Sequence, residues 1–117
     1  MDTIGILGAG AMGSGIAQVA AAAGHDVVVC DNLTLALTKS GKNIQATLKT
    51  LVDKEKITDA EAYSLFSKIK FSDHMSEFRN CSVIIEAIRE DIEQKQIAFK
   101  SMEAIVDEDT ILASNTS

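Results

Sequence analysis

The chain opens with Thr3-Ile4-Gly5-Ile6-Leu7-Gly8-Ala9-Gly10-Ala11-Met12-Gly13-Ser14-Gly15, a short apolar strand running straight into a GxGxxG turn. Behind the turn stands a helix-like stretch made mostly of alanine. Each glycine of the turn answers a steric demand. Gly8 allows the tight reversal off the strand, Gly10 lets the backbone approach a pyrophosphate, and Gly13 lets the helix pack closely on a sheet. The start of the helix then offers N–H groups to phosphates.

An acid, Asp31, closes a second apolar run at residues 26–30, at the separation of about 20 residues that a dinucleotide fingerprint requires. A carboxylate there accepts hydrogen bonds from an adenosine ribose and repels a 2′-phosphate, which favours NAD over NADP. Two alternatives stand beside this reading. A glycine-rich turn can bind nothing, and FAD proteins use the same turn, although Glu is their usual residue at the end of the second strand.

Alternation of patterns along the chain predicts the order β-α-β-α-α-β-α-β-α-β. Strands are expected at 3–7, 26–30, 69–72, 83–86 and 110–113, and the first helix at 11–23 with Gly24 as its terminating glycine. Leu37, Ile44, Leu48 and Leu51 recur at helical intervals. Thr58-Asp59-Ala60-Glu61 is a capping-box pattern that opens a further helix running to Ser67. These two helices are expected to form a hairpin off the main body. A short helix is expected at 75–78 and an amphipathic one at 92–106, with Phe99, Met102 and Ile105 on one face. Val83-Ile84-Ile85-Glu86 has the continuous apolar character of a strand buried on both faces of a parallel sheet. Right-handed crossovers turn this order into an α/β fold, a doubly wound parallel sheet of Rossmann type ordered 3-2-1-4-5 with a helical hairpin insertion.

Composition narrows the possible partners. The 117 residues suffice for one domain, 1–117, with a single core. No apolar run approaches the length that spans a bilayer, and the N-terminus lacks a basic leader, so the expected setting is the cytoplasm. Cys30 and Cys81 lie in or beside apolar runs and read as buried thiols of a reducing compartment. Two His and two Cys without ligand spacing give no metal site. A net charge of -6 argues against nucleic acid. The acidity is uneven: Lys39 to Lys70 holds seven lysines against Asp53, Glu55, Asp59 and Glu61. That basic island could receive a phosphorylated ligand or simply be a solvated helical face.

Ligands of such a sheet lie across the carboxyl ends of its strands. That edge is expected to carry the glycine turn, Asp31, residues Ala87 to Glu90, and the polar run Ser114-Asn115-Thr116-Ser117. Polar groups of the last run can hydrogen-bond a nicotinamide or a substrate oxygen, or form an ordinary loop.

Four segments carry a specific resemblance: Ile6 to Gln18, Ala23 to Val27, Val83 to Ile88 and Ile111 to Ser117. Together they resemble the NAD-binding domain of 3-hydroxyacyl-CoA dehydrogenases, most of all the bacterial 3-hydroxybutyryl-CoA enzymes, over essentially the whole chain. The resemblance implies that Gly8, Ala9, Gly10, Ala11, Met12 and Gly13 cradle the NAD pyrophosphate and that Asp31 holds the adenosine ribose. It implies cofactor contacts for Ala87 and Asn115, and places Glu90 and Lys95 near the nicotinamide-side ribose. Ser117 would hydrogen-bond the reacting 3-oxygen of the substrate, and Thr47 and Lys54 would contact coenzyme A, with Lys49 and Lys56 as neighbours. The implied reaction moves a hydride between C3 of a short-chain (S)-3-hydroxyacyl-CoA and NAD.

The same resemblance marks what to expect beyond these residues. The family's general base is a histidine in a His-Phe-Phe-Asn-Pro-like segment, oriented by a glutamate, and no such segment occurs here. His25 is expected in a surface turn on the wrong edge of the sheet, and His74 near a helix entry. The chain therefore reads as the cofactor half of the family, truncated after the ASNTS motif and inactive alone. The helical C-terminal domain, which would supply most of a homodimer contact, is then absent. With Met1 opening the domain directly, a fused hydratase ahead of it is not expected. Other enzymes with a GxGxMG turn, of the 6-phosphogluconate or 3-hydroxyisobutyrate type, and a non-enzymatic NAD-binding module are the rival readings.

Overall fold

A computed structural model describes residues 2–87 and the backbone of Ile111–Ser114. Its elements run β1 (Ile4–Leu7), α1 (Ala11–Ala22), β2 (Val27–Cys30), α2 (Thr34–Asp53), α3 (Asp59–Ser67), β3 (Ile69–Ser72), a 3₁₀ helix (Met75–Asn80), β4 (Val83–Glu86) and β5 (Ile111–Ser114). The amphipathic helix expected at 92–106 lies outside the described residues, as do Glu90, Lys95, Asn115 and Ser117.

All five strands pair in parallel in the order β3-β2-β1-β4-β5, as the alternation of elements requires. The register aligns Ser72, Cys30, Leu7, Glu86 and Ser114 in one row at the carboxyl edge. One boundary is corrected there. Ser114 is the last residue of β5, opposite Glu86, and not the first residue of a loop.

The two faces of the sheet have different covers, and strand alternation sorts the residues between them. Ile6, Val27 and Val29 face a core completed by Ala17, Ala20 and Ala21 of α1 and by Leu37, Ile44 and Leu48 of α2. Leu7, Val28, Cys30 and Ile84 face the other way and close over Phe78 and Cys81. Alanines let α1 lie close to the strands. On the opposite face Gly5 does the same for an aromatic ring, since a Cβ there would stand 2.7 Å from Cδ1 of Phe78. Both cysteines are buried thiols outside any disulfide. Burial pushes each thiol up to about 11, and Asp31, Asp73 and Glu77 push Cys30 in the same direction.

Helix ends follow the local rules. The N–H of His25 bonds to Ala20 O and that of Gly24 to Ala21 O, with Gly24 at φ 100, which makes a Schellman end to α1. α2 ends in the same pattern, Lys56 N–H to Leu51 O and Glu55 N–H to Val52 O, but with Glu55 in the left-handed region at φ 58. The capping box of α3 is complete: Thr58 Oγ1 accepts from Glu61 N at 3.1 Å, and Thr58 N donates to Glu61 Oε1 at 3.0 Å.

The helical hairpin forms, but it does not project from the body. Ile44 and Leu48 of α2 are core residues, and Leu51, Ile57, Ala62, Leu65 and Phe66 pack against the same core. The sequence period identifies an apolar face without naming its partner. Here that partner is α1 and the sheet, because the alanines of α1 leave room beside it. Ile44→Ala is therefore expected to lower the stability of the whole fold by about 2–5 kcal/mol. Denaturant unfolding should show one shifted transition, whereas a hairpin standing off the body would melt separately and leave the sheet's transition in place.

Candidate functional site

The turn between β1 and α1 lies on the carboxyl edge at the point where strand order reverses from β1 to β4, the place where a doubly wound sheet opens a crevice. Gly8 leaves β1 with φ 114, a backbone conformation that suits glycine, and its N–H donates to Cys30 O at 2.8 Å. Gly10 is the N-cap residue of α1, in extended conformation, and no side chain caps the helix there. No acid stands in the first helical turn, so the positive end of the helix is not neutralised from within α1.

The glycines differ in what surrounds them. A Cβ on Gly13 would run into the carbonyl oxygen of Gly8, so α1 is held against its own entry turn by a backbone-to-backbone approach. The sequence reading assigned that glycine to packing against the sheet. The nearer demand comes from Gly8, with the side chain of Ile6 in ordinary contact at 3.4 Å. Around Gly10 the space is open, with nothing within 4 Å of an added Cβ. A bare, exposed backbone at the positive end of a helix is what a pyrophosphate needs for close approach.

Asp31 follows β2 and reaches back to this turn. Its Oδ2 accepts from Ala9 N at 2.9 Å and its Oδ1 from Leu33 N at 2.9 Å. Ala9 is buried, while Met12 and Leu33 leave apolar surface exposed. Ala87 stands on the other side of the turn, its N–H donating to Leu7 O at 2.8 Å. Thus Gly8 to Gly13, Asp31 and Ala87 are brought together at one edge. Next to them the structure adds groups that the sequence reading missed. Ser14 and Ser40, both buried, share a hydroxyl contact of 2.6 Å that ties α1 to α2, and Ser14 Oγ donates to Ala9 O at 3.4 Å. Glu86, wholly buried, closes β4 beside Leu7.

Thr47 and Lys54 are both exposed on α2. Thr47 Oγ1 donates to Asn43 O at 3.0 Å, and the residue lines a cavity of about 190 Å³ with Ala11, Ser14, Gly15, Gln18 and Asn43, next to the glycine turn. Lys54 is the C-cap of α2, two turns further on, and does not line that cavity. Lys49 lines a separate cavity between α2 and α3. In the basic island, Lys70 is paired with Glu77 at 2.8 Å. The histidines stand apart from the turn. His25 Nδ1 lies 2.9 Å from Asp2 O beyond the amino end of β2, and exposed His74 has Nε2 3.2 Å from Asp73 Oδ1 after β3. Among the described residues no three His, Cys, Asp or Glu side chains gather as a metal site, and no helix is long and apolar enough to cross a membrane.

The family model described as 3-hydroxyacyl-CoA dehydrogenase, NAD binding domain, matches residues 3–117. The chain belongs to this family. A probable 3-hydroxybutyryl-CoA dehydrogenase of Deinococcus radiodurans is 42% identical over 113 residues, which are 97% of this chain and 40% of that protein. The mitochondrial hydroxyacyl-coenzyme A dehydrogenase of Sus scrofa is 39% identical over 118 residues, 96% of this chain and 38% of the relative. The crystal structure of an (S)-3-hydroxybutyryl-CoA dehydrogenase from Ralstonia eutropha superposes with a TM-score of 0.96 at 38% identity, over 100% of this chain and 41% of that one. The chain thus spans about 40% of the length of the relatives it matches. The cofactor of this 3-hydroxyacyl-CoA dehydrogenase domain is NAD, the dinucleotide that the Asp-ending second strand favoured over NADP and FAD.

The contact between Gly13 and Gly8 makes a sharp stability test. Gly13→Ala is expected to cost at least about 2 kcal/mol, because backbone must move to admit the methyl group. Gly15→Ala, two positions along the same helix and facing open space, should instead be neutral or gain up to about 1 kcal/mol from helix propensity. Equal effects in chemical denaturation would contradict the close approach.

Proposed function

We propose that this chain is the cofactor-holding part of an enzyme that moves a hydride between C3 of a short-chain (S)-3-hydroxyacyl-CoA and NAD. The observation that carries the reading is the open backbone at Gly10, at the uncapped start of α1 and next to Ala9, whose N–H donates to the carboxylate of Asp31. The turn from Gly8 to Gly13 cradles the pyrophosphate: the N–H groups of Gly8 and Ala9 are used inside the protein, the start of α1 offers the donors, and its partial positive charge offsets the negative charge of the phosphates. A carboxylate has about four lone-pair positions. The two oxygens of Asp31 each use one on backbone N–H groups, which leaves one on each for the two hydroxyls of the adenosine ribose. A 2′-phosphate would meet that negative charge at close range.

Bound NAD supplies the hydride acceptor. Ala87, Glu90, Lys95 and Asn115 border its nicotinamide side, and Ser117 holds the substrate 3-oxygen by a hydrogen bond. Thr47 and Lys54 contact coenzyme A. Thr47 does so from the cavity beside the glycine turn, and Lys54 as a charge two helical turns away. These groups bind and orient, and positioning is itself a large part of catalysis. Taking the hydroxyl proton requires a base near C3, a task that neither His25 nor His74 can perform from where it stands. Turnover by the 117 residues alone is therefore expected near background. The buried thiols of Cys30 and Cys81, outside any disulfide, suit a reducing cytoplasm.

Calorimetric titration with NADH and NADPH, followed by an assay with acetoacetyl-CoA, tests the proposal. The expected result is NADH binding at least about tenfold tighter than NADPH, the scale of one close charge repulsion, with no appreciable NADH oxidation. Gly10→Val should fold normally and lose NADH. Tight NADH binding that survives Gly10→Val would place the cofactor elsewhere, and turnover at the rate of a two-domain enzyme would refute the missing base.

A further inference from the structure

We propose that Asp31 is a positioning residue as well as a ribose acceptor: its carboxylate is the latch that holds the glycine turn in its binding shape. The inference rests on the functional reading above but is carried by a separate observation. Oδ2 bonds to the N–H of Ala9, inside the turn, and Oδ1 to the N–H of Leu33, at the entry to α2, each at 2.9 Å. One side chain therefore spans two loops that meet at the crevice. Its own main chain is held from the other side, since Asp31 N donates to Ser72 O at 3.2 Å. Ala9 is only 4% exposed, so water cannot readily replace the acceptor that its N–H would lose. An orphaned buried N–H is costly, and the turn's remedy is to rotate it toward solvent, which spoils the row of donors facing the pyrophosphate.

This arrangement changes what a substitution at Asp31 does to cofactor choice. If the carboxylate only repelled a 2′-phosphate, any neutral residue would admit NADP. A latch predicts that only a neutral residue able to accept from Ala9 N–H will do so. Asn keeps one acceptor oxygen without the charge, whereas Ala keeps none.

NADH and NADPH affinities of the 117-residue chain, D31N and D31A decide the matter, together with hydrogen exchange at the Ala9 amide. D31N is expected to keep Ala9 protected, lose NADH only a few-fold and bind NADPH more tightly than the parent. D31A is expected to expose the Ala9 amide and weaken NADH by about tenfold or more, the scale of one orphaned buried donor, with no gain for NADPH. A D31A chain that gains NADPH as much as D31N, or keeps Ala9 protected, overturns the proposal. Should D31A fail to fold, a folded D31N with a protected Ala9 sustains the latch, and an unfolded D31N overturns it. If the parent chain binds no NADH, the functional reading fails, while Ala9 exchange in the two variants still decides the latch.

Discussion

Everything at the crevice depends on one backbone contact, the approach of Gly13 to the carbonyl of Gly8. Any Cβ at position 13 would push α1 away from the end of β1. Gly8 would then lose the conformation at φ 114 that turns the chain out of the sheet. With the contact in place, the start of α1 sits over the switch point and its positive end faces the crevice. Asp31 then reaches Ala9 from β2, and Ser14 comes within reach of Ser40 on α2. A steric fact about one glycine thus sets the positions of three separate segments.

Electrostatics and sterics divide the work at this edge. Glycine supplies space, seen in the open surroundings of Gly10, and the helix supplies a fixed partial charge. Asp31 brings a full negative charge to the same rim, bonded to the N–H of Ala9. Its oxygens are occupied by the N–H groups of Ala9 and Leu33, so the carboxylate is held in place before any ligand arrives. A preorganised acceptor of this kind avoids part of the ordering cost of binding.

How much of this the sequence discloses depends on the range of each interaction. Local signals were legible: the glycine spacing, the capping box at Thr58 and Glu61, the Schellman glycine at 24, and the parallel order from alternating strands and helices. Long-range partners were not. The helical period of Leu37, Ile44 and Leu48 marks an apolar face but cannot say that it packs on α1, and two serines far apart in sequence give no sign that they will meet. The left-handed Glu55 was hidden because the position lacks the glycine that normally announces it. Gly5 could have been noticed, since a glycine inside an apolar strand signals close approach; its reason is the ring of Phe78. The expected positions of Glu90, Lys95, Asn115 and Ser117 rest on the resemblance, outside the described residues.

Amide chemical shifts recorded while NADH is added test the central claim most directly, because they report where on the chain the cofactor sits. The account requires the largest changes at Gly8, Ala9, Gly10, Ala11, Met12 and Gly13 and at Asp31 to Leu33, with small changes along α3. Shifts confined to the α2–α3 hairpin, or none at the glycine turn at saturating NADH, would contradict it.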